Sequence, residues 1–373
     1  MKRNKESSSK NNIMSMPKLI SVTEFRLHQG ELFIAAGGFE ERVFKFSRML
    51  QPYNATQNEA LLLDYCPCDS KNKCKELNSV LLNKGLQVTC IPYDRYEPEG
   101  FDTNIKTILR NAQINAVCLD ISGMSRLAIM IIIDVIRELN LSLRIVYAEA
   151  LHYAPSETDF NKAKAAGQQH LPTSFIHTGV YDVLHVGRLS SIRMQNHATL
   201  LIAFDSFNEA LCQVLVNDIK PSNIILINGR PPRQELKWRE EATAYVHKYL
   251  RQEWSMEKDN DPLKVTSTLY YNETYELLAT LYWNFSGTHR IILAPTGSKM
   301  QTIGSYLLRA IHDDVHIEYP TVQGFFADKY STGVRETWQL DFGKMSDFVE
   351  YLRQKEIKEH LSLPEKLVDA DID

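Results

Sequence analysis

A strand–turn–helix pattern occurs twice in this chain, and it constrains the fold more than any other feature. Phe33-Ile34-Ala35-Ala36-Gly37-Gly38-Phe39-Glu40-Glu41-Arg42 reads as an apolar strand, a tight turn and a helix start. Leu201-Ile202-Ala203-Phe204-Asp205-Ser206-Phe207-Asn208-Glu209-Ala210 repeats it in the second half. Leu119-Asp120-Ile121-Ser122-Gly123-Met124-Ser125-Arg126 is answered by Leu293-Ala294-Pro295-Thr296-Gly297-Ser298-Lys299-Met300, and Ile145-Val146-Tyr147-Ala148-Glu149 by Ile317-Glu318-Tyr319-Pro320-Thr321. Three matches in one order predict an internal duplication. The expected fold is α/β: two tandem Rossmann-like units, each a doubly wound, mostly parallel sheet. Ligands of such units sit at strand C-termini, so the duplicated loops would rim one cleft.

The expected division is a disordered basic tail at 1–18, copy one at 19–154, a connector at 155–198, copy two at 199–343, and a C-terminal helix with an acidic tail at 344–373. Strands are predicted at Glu31 to Ala36, Ala60 to Tyr65, Leu86 to Ile91, Ala116 to Ile121 and Ser142 to Glu149. The second set is Thr199 to Phe204, Asn223 to Asn228, Lys264 to Leu269, Arg290 to Ala294 and Val315 to Tyr319. Helices are expected over Phe39 to Leu50, from Asp69 or Ser70 to about Asn83, from Thr103 to Gln113, over Met124 to Asn140, from Pro232 to Arg251, and over Glu273 to Asn284, Met300 to Ile311 and Lys344 to Leu361.

The 373 residues are 44% hydrophobic, enough for two cores, and a net charge of −4 gives no global case for binding duplex nucleic acid. The apolar run Leu127 to Ile136 is too short to cross a bilayer and contains Asp134, so it reads as a buried helix and no membrane role is expected. Six cysteines without a secretory signal suggest reduced thiols and a cytoplasmic protein. Cys66, Cys68 and Cys74 could be part of a metal site. The plainer reading is none, because no CxxC pair or partner histidine accompanies them. No cofactor is implied.

Pro295-Thr296-Gly297-Ser298-Lys299 joins a strand to a helix. A glycine, two hydroxyls, free amides at a helix start and an ammonium make a cradle for phosphate or carboxylate. The competing reading is a capped helix with one exposed lysine. The first-half counterpart keeps Ser122, Gly123 and Arg126, and Asp120 there either binds a ribose hydroxyl, metal or basic group, or caps the helix. Gly37, Gly38 and Phe39 form the first loop of copy one, with Asp205 and Ser206 at the same place in copy two. Glu40 and Glu41 argue against a GxGxxG pyrophosphate site. His152 is either a general base or a structural residue of an aromatic loop. The loop Tyr319 to Gly333 is either a base-stacking lid or a hairpin over a core edge.

These loops resemble the CARF superfamily, whose domains sense cyclic oligonucleotides in CRISPR-linked antiviral defence, and SAVED domains, which look like two such domains fused. The late CARF loop, Gly-Gly-Thr-Lys or similar, matches Thr296, Gly297, Ser298 and Lys299 here, with one glycine where the family has two. The first-strand loop matches Ala36 to Phe39, and Asp205 with Ser206. The resemblance implies a nucleotide or cyclic oligonucleotide ligand and a protein effector elsewhere, with a homo-oligomer possible. An enzyme cleaving such a ligand without metal, with Ser298, Lys299, Asp120 or His152 in catalytic roles, is the second expectation. A non-catalytic adaptor is the third.

Overall fold

A computed structural model describes residues 15–51, 59–167, 179–254, 262–326 and 330–361. Residues 1–14 of the expected basic tail, the acidic tail, connector residues 168–178 and the charged loop Glu257 to Asp261 lie outside the described residues.

Two sheets organise the chain. The first holds five parallel strands, Glu31–Ala36, Glu59–Cys66, Gln87–Asp94, Ala116–Asp120 and Ser142–Ala148. Across the sheet they run third, second, first, fourth, fifth. The second sheet holds Ala198–Phe204, Asn223–Arg230, Val265–Ser267, His289–Ala294 and His316–Ile317, all parallel and in the same order. Central strands such as Leu32-Phe33-Ile34-Ala35-Ala36 and Leu200-Leu201-Ile202-Ala203-Phe204 are buried along their length, as expected where helices cover both faces.

One hydrophobic core runs from the inner face of the first sheet, through helices Arg126–Glu138 and Lys299–Ile311, to the inner face of the second. Separate cores back each outer face. Helix Arg126–Glu138 buries every residue from Leu127 to Ile136, because it is sandwiched rather than surface-lying. Its one charged member there, Asp134, accepts from Arg137, Arg188 and Tyr306. No helix among the described residues is long and apolar enough to cross a membrane.

A strand not expected from the sequence, Thr337–Lys344, returns from the second half and pairs antiparallel with Ser142–Ala148. Its alternation, with Leu340 and Phe342 inward and Asp341 outward, is the signal of an antiparallel strand with one face packed and one face solvated. The expected boundary at 343 therefore falls inside a strand of the first sheet. Helix Met345–Leu361 follows and packs through Met345, Phe348, Val349 and Leu352.

Four helix expectations are corrected. The helix after Gly38 begins later, as a 3-10 turn Glu41–Val43 followed by Phe44–Met49, since Glu40 is extended. The helix expected from Asp69 starts at Cys74, because Asp69 Oδ1 instead accepts from Lys71 N in a loop turn. The expected run from Pro232 to Arg251 is broken into Trp238–Val246 and Lys248–Trp254 at His247, whose ring engages the Ser206 backbone. Thr103 is not a cap: Gly100, at φ +77°, precedes helix Phe101–Asn111.

Candidate functional site

The C-terminal ends of both sheets open into one shared cleft of about 360 Å³. Helices Arg126–Glu138 and Lys299–Ile311 point their N-termini at it, and their N-caps Ser125 and Ser298 both line it. The two helices cross-brace the opposing turns. Arg126 Nη1 donates to the Gly297 carbonyl at 2.6 Å, and Lys299 Nζ donates to the Ser122 carbonyl.

Of the residues expected to bind ligand, Gly38, Phe39, Gly123, Ser206, Thr296, Gly297, Ser298 and Lys299 line the cleft. The others lie behind it. Gly37 is glycine for packing, since a Cβ there would sit 2.5 Å from Cys74 Cα. Ser122 is buried, its Oγ accepting from Ala148 N. Asp205 is buried and paired with Arg251, which fixes a loop. Asp120 is buried and accepts from Ser122 N at 2.9 Å. His152 is exposed, on the short strand His152–Tyr153 that pairs with Ser331–Thr332.

Both hydroxyls of the Thr296–Lys299 turn have internal partners. Thr296 Oγ1 bridges Phe204 N and O at 2.8 and 2.7 Å. Ser298 Oγ donates to Thr268 O at 2.7 Å and accepts from Gln301 N, while Gln301 Oε1 accepts from Ser298 N, completing a capping box. Gly297 leaves no room for a Cβ, which would meet Gln301 Oε1 at 2.4 Å. The capped-helix reading therefore describes these hydroxyls, while Lys299 turns inward rather than out.

The electrostatics concentrate on Lys299. Its Nζ lies 3.7 Å from Glu40 Oε2, and burial, with Arg42 nearby, holds the ammonium down to about 7 despite Glu40 and Asp120. Burial pushes Asp120 up to about 6, against the Ser122 hydrogen bonds and the charges of Lys299 and Arg42. Burial also opposes the Glu40 charge, but Arg42 and then Lys299 outweigh it and hold Glu40 below the usual carboxylate range. Arg42 grips Glu40 with two hydrogen bonds, at 3.0 and 2.8 Å, and donates to Tyr147 OH and Ala148 O. Asp120, pushed up, and Lys299, held down, thus approach one another near neutrality while Glu40 stays ionised, the kind of perturbation that clusters at functional sites.

Sequence reasoning missed several lining groups. Arg95 lies 5.6 Å from the Phe325 ring, and Arg239 lies 4.3 Å from the Phe207 ring while donating to the carbonyls of Tyr153, Ala154 and Pro155. Among the described residues, no carboxylate pairs with Arg95, Arg126 or Arg239. Burial, without a carboxylate to offset it, holds Arg239 down to about 10. Aromatic rings supply the rest. Phe39, Phe325 and Tyr330 cluster with centroids 5.3–5.9 Å apart, and Tyr65, Tyr93, Tyr147, Tyr153, Phe207 and Tyr319 also line the walls. The Tyr319 to Gly333 segment thus lines the cleft through Tyr319, Phe325 and Tyr330, and its Ser331–Thr332 strand pairs antiparallel with His152–Tyr153 of the first half rather than forming a local hairpin.

All six cysteines are free, and Cys66, Cys68 and Cys74 do not converge as a ligand set among the described residues. His185, His316 and Glu318 do converge, away from the cleft. There Ser191 N donates to His316 Nδ1 at 2.9 Å, so Nε2 carries the proton and faces Glu318 Oε1 at 2.7 Å. That arrangement is a hydrogen-bonded latch, with both ring nitrogens of His316 already engaged.

No family model matches the sequence, and no curated protein matches it. Among solved structures the chain is similar to a type III CRISPR defence DNA nuclease activated by cyclic oligoadenylate, at 10% identity and a TM-score of 0.44, over 78% of this chain and 65% of that one. The chain thus spans under two thirds of that nuclease's length. It is also similar to the cytoplasmic domain of a prokaryotic cation chloride cotransporter, at 8% identity and a TM-score of 0.23, over 78% of this chain and 95% of that one. Neither likeness assigns a ligand or an activity to this chain.

Proposed function

We propose that this chain is a nucleotide sensor of a bacterial antiviral defence system, binding nucleotide or cyclic-oligonucleotide phosphates in the shared cleft and signalling to a separate effector. The observation that carries the binding half of this reading is the combination in one concavity of two helix N-termini, guanidiniums without carboxylate partners, and stacking-competent rings. Phosphates favour the first two, through amide dipoles and bidentate guanidinium geometry. Bases favour the third. The defence context and the effector rest on the loop-level resemblance. We further read the two sheets as copies of one ancestral unit, on the strength of their common strand order.

A second reading, a metal-independent phosphodiesterase, is favoured by one arrangement: Lys299, which burial holds down to about 7, reaches the Ser122 turn whose amide is held by buried Asp120. In that reading a ribose 2′-hydroxyl attacks the adjacent 3′-phosphate and the P–O5′ bond breaks, leaving a 2′,3′-cyclic phosphate and a 5′-hydroxyl that takes up the proton the attacking hydroxyl releases, while Lys299 stabilises the developing charge.

Mixing the purified protein with cyclic and linear nucleotides, and following melting temperature and ligand integrity together, separates the readings. Stabilisation with intact ligand supports the sensor; at about 100 times Kd it amounts to about 2.7 kcal/mol. Ligand loss supports the enzyme. Neither response across the panel supports a non-catalytic adaptor.

A further inference from the structure

The two walls of the cleft carry different charge. Three carboxylates line it, Glu40, Asp69 and Glu149, and all three come from the first half, alongside three guanidiniums. The second half lines it with Lys299 and Arg239 and, among the described residues, with no carboxylate. Strand register makes the comparison position by position. Ala36 pairs with Leu63 as Phe204 pairs with Ile227, so Glu40 corresponds to Asn208. Leu119 pairs with Ile145 as Leu293 pairs with Ile317, so Glu149 corresponds to Thr321. Both acids therefore have a neutral residue at the corresponding position of the second half.

The local chemistry sharpens the contrast. A carboxylate offers about four acceptor sites. On Glu40, Arg42 occupies one on each oxygen and Ser331 Oγ a second on Oε1. The remaining site on Oε2 has Lys299 Nζ 3.7 Å away, too far for a hydrogen bond, so a ligand donor can still reach it, and a phosphate placed there would meet a buried like charge. On the other wall, Arg239 rests on Phe207 and is hydrogen-bonded only to neutral carbonyls, so its charge is not neutralised locally. An anion there offsets a cation already removed from water.

Resting on the nucleotide-binding reading, we infer that the cleft is polar: the Arg239 wall takes an anionic terminal group, the Glu40 wall takes an uncharged donor such as a sugar hydroxyl or exocyclic amine, and the ligand is held in one orientation. A linear nucleotide bearing a terminal phosphate fits this distribution better than a ring with two equivalent phosphates.

The test is calorimetric titration with three probe sets, each made with all four bases: 5′-phosphorylated linear dinucleotides, their dephosphorylated forms, and symmetric cyclic dinucleotides. The proteins are the wild type, Arg239→Gln, Arg239→Lys and Glu40→Gln. The expected result is at least tenfold preference for a phosphorylated linear probe over its dephosphorylated form and over the cyclic one. Arg239→Gln should abolish that preference without weakening the dephosphorylated probe, and Arg239→Lys should restore most of it. Glu40→Gln should tighten the cyclic probe several-fold. Equal affinity for phosphorylated and dephosphorylated probes, or tightest binding of the cyclic probe with no response to Arg239→Gln, overturns the polarity while leaving nucleotide binding standing. Failure of every probe to bind overturns both.

Discussion

Arg126 and Lys299 hold the same position in the two halves, the first residue of the helix after the fourth strand, and each reaches across the cleft to a carbonyl of the other's turn. Lys299 also has the Glu40 carboxylate 3.7 Å away, Arg126 has no carboxylate partner among the described residues, and both stand at helix N-termini, where an incoming phosphate competes well for hydrogen bonds. The same two contacts tie the sheets together across the opening. Ligand recognition and the relative placement of the halves therefore share two side chains.

Binding of a phosphate-bearing nucleotide should take up a proton at mildly alkaline pH. Lys299 lies at about 7, well below the ordinary lysine value, because burial disfavours its charge. A phosphate in the cleft raises it again. At pH 8 the free protein holds Lys299 largely neutral, so binding recruits a proton; at pH 6 it is already charged and uptake vanishes. Titrations in buffers of different ionisation enthalpy measure this, and Lys299→Met should remove it.

Asp120→Asn should stabilise the protein above pH 6 and leave it unchanged below about pH 4. Burial raises the Asp120 carboxyl to about 6 from 3.8. A group raised on folding stabilises fully below its unfolded value, and that contribution is lost as pH rises through the folded one. Asparagine keeps an acceptor for Ser122 N and cannot ionise, so the gain should reach about 2–3 kcal/mol at neutral pH. Urea denaturation at pH 4 and 7.5 reads the difference; an equal effect at both values counts against it.

Asp134→Ala should cost about 2 kcal/mol, because it removes a buried acceptor shared by Arg137, Arg188 and Tyr306, while Arg188 keeps Asp102 and Glu138. Asp134 is 6% exposed, lies 2.9 Å from both Arg137 Nη2 and Arg188 Nη1, and accepts from Tyr306 OH at 3.1 Å. The shift in urea midpoint at constant slope checks it, and a change below about 1 kcal/mol would show the network to be dispensable.

Much of the fold was legible because strands buried on both faces write themselves as apolar runs, such as Ile224-Ile225-Leu226-Ile227, and Gly85 follows a helix end at φ +84°. Strand Thr337–Lys344 was not legible because only Leu340, Asp341 and Phe342 alternate cleanly along it, and its main partner, Ser142–Ala148, lies far off in sequence. The turns around Gly38, Gly123 and Gly297 were legible as loop chemistry, though each glycine also answers a packing demand, since added Cβ atoms would lie 2.8, 2.6 and 2.4 Å from their nearest neighbours. Arg95 and Arg239 were not legible. No local motif marks them, and only the tertiary arrangement brings them to the cleft. His316 and Glu318 are two residues apart, one on strand His316–Ile317 and one just past its end, but their partner His185 comes from the connector, so no local pattern marks the cluster.

The most direct test of ligand binding in the shared cleft is the melting temperature of the wild type and of an Arg126→Ala/Lys299→Ala double variant, each measured with and without the nucleotide panel and each referred to its own unliganded value. The expected result is that at least one nucleotide raises the wild-type midpoint by several degrees at saturation, consistent with about 2–3 kcal/mol of binding linkage, and that the double variant loses most of that rise. A full rise retained by the double variant, or no rise with any nucleotide, contradicts it.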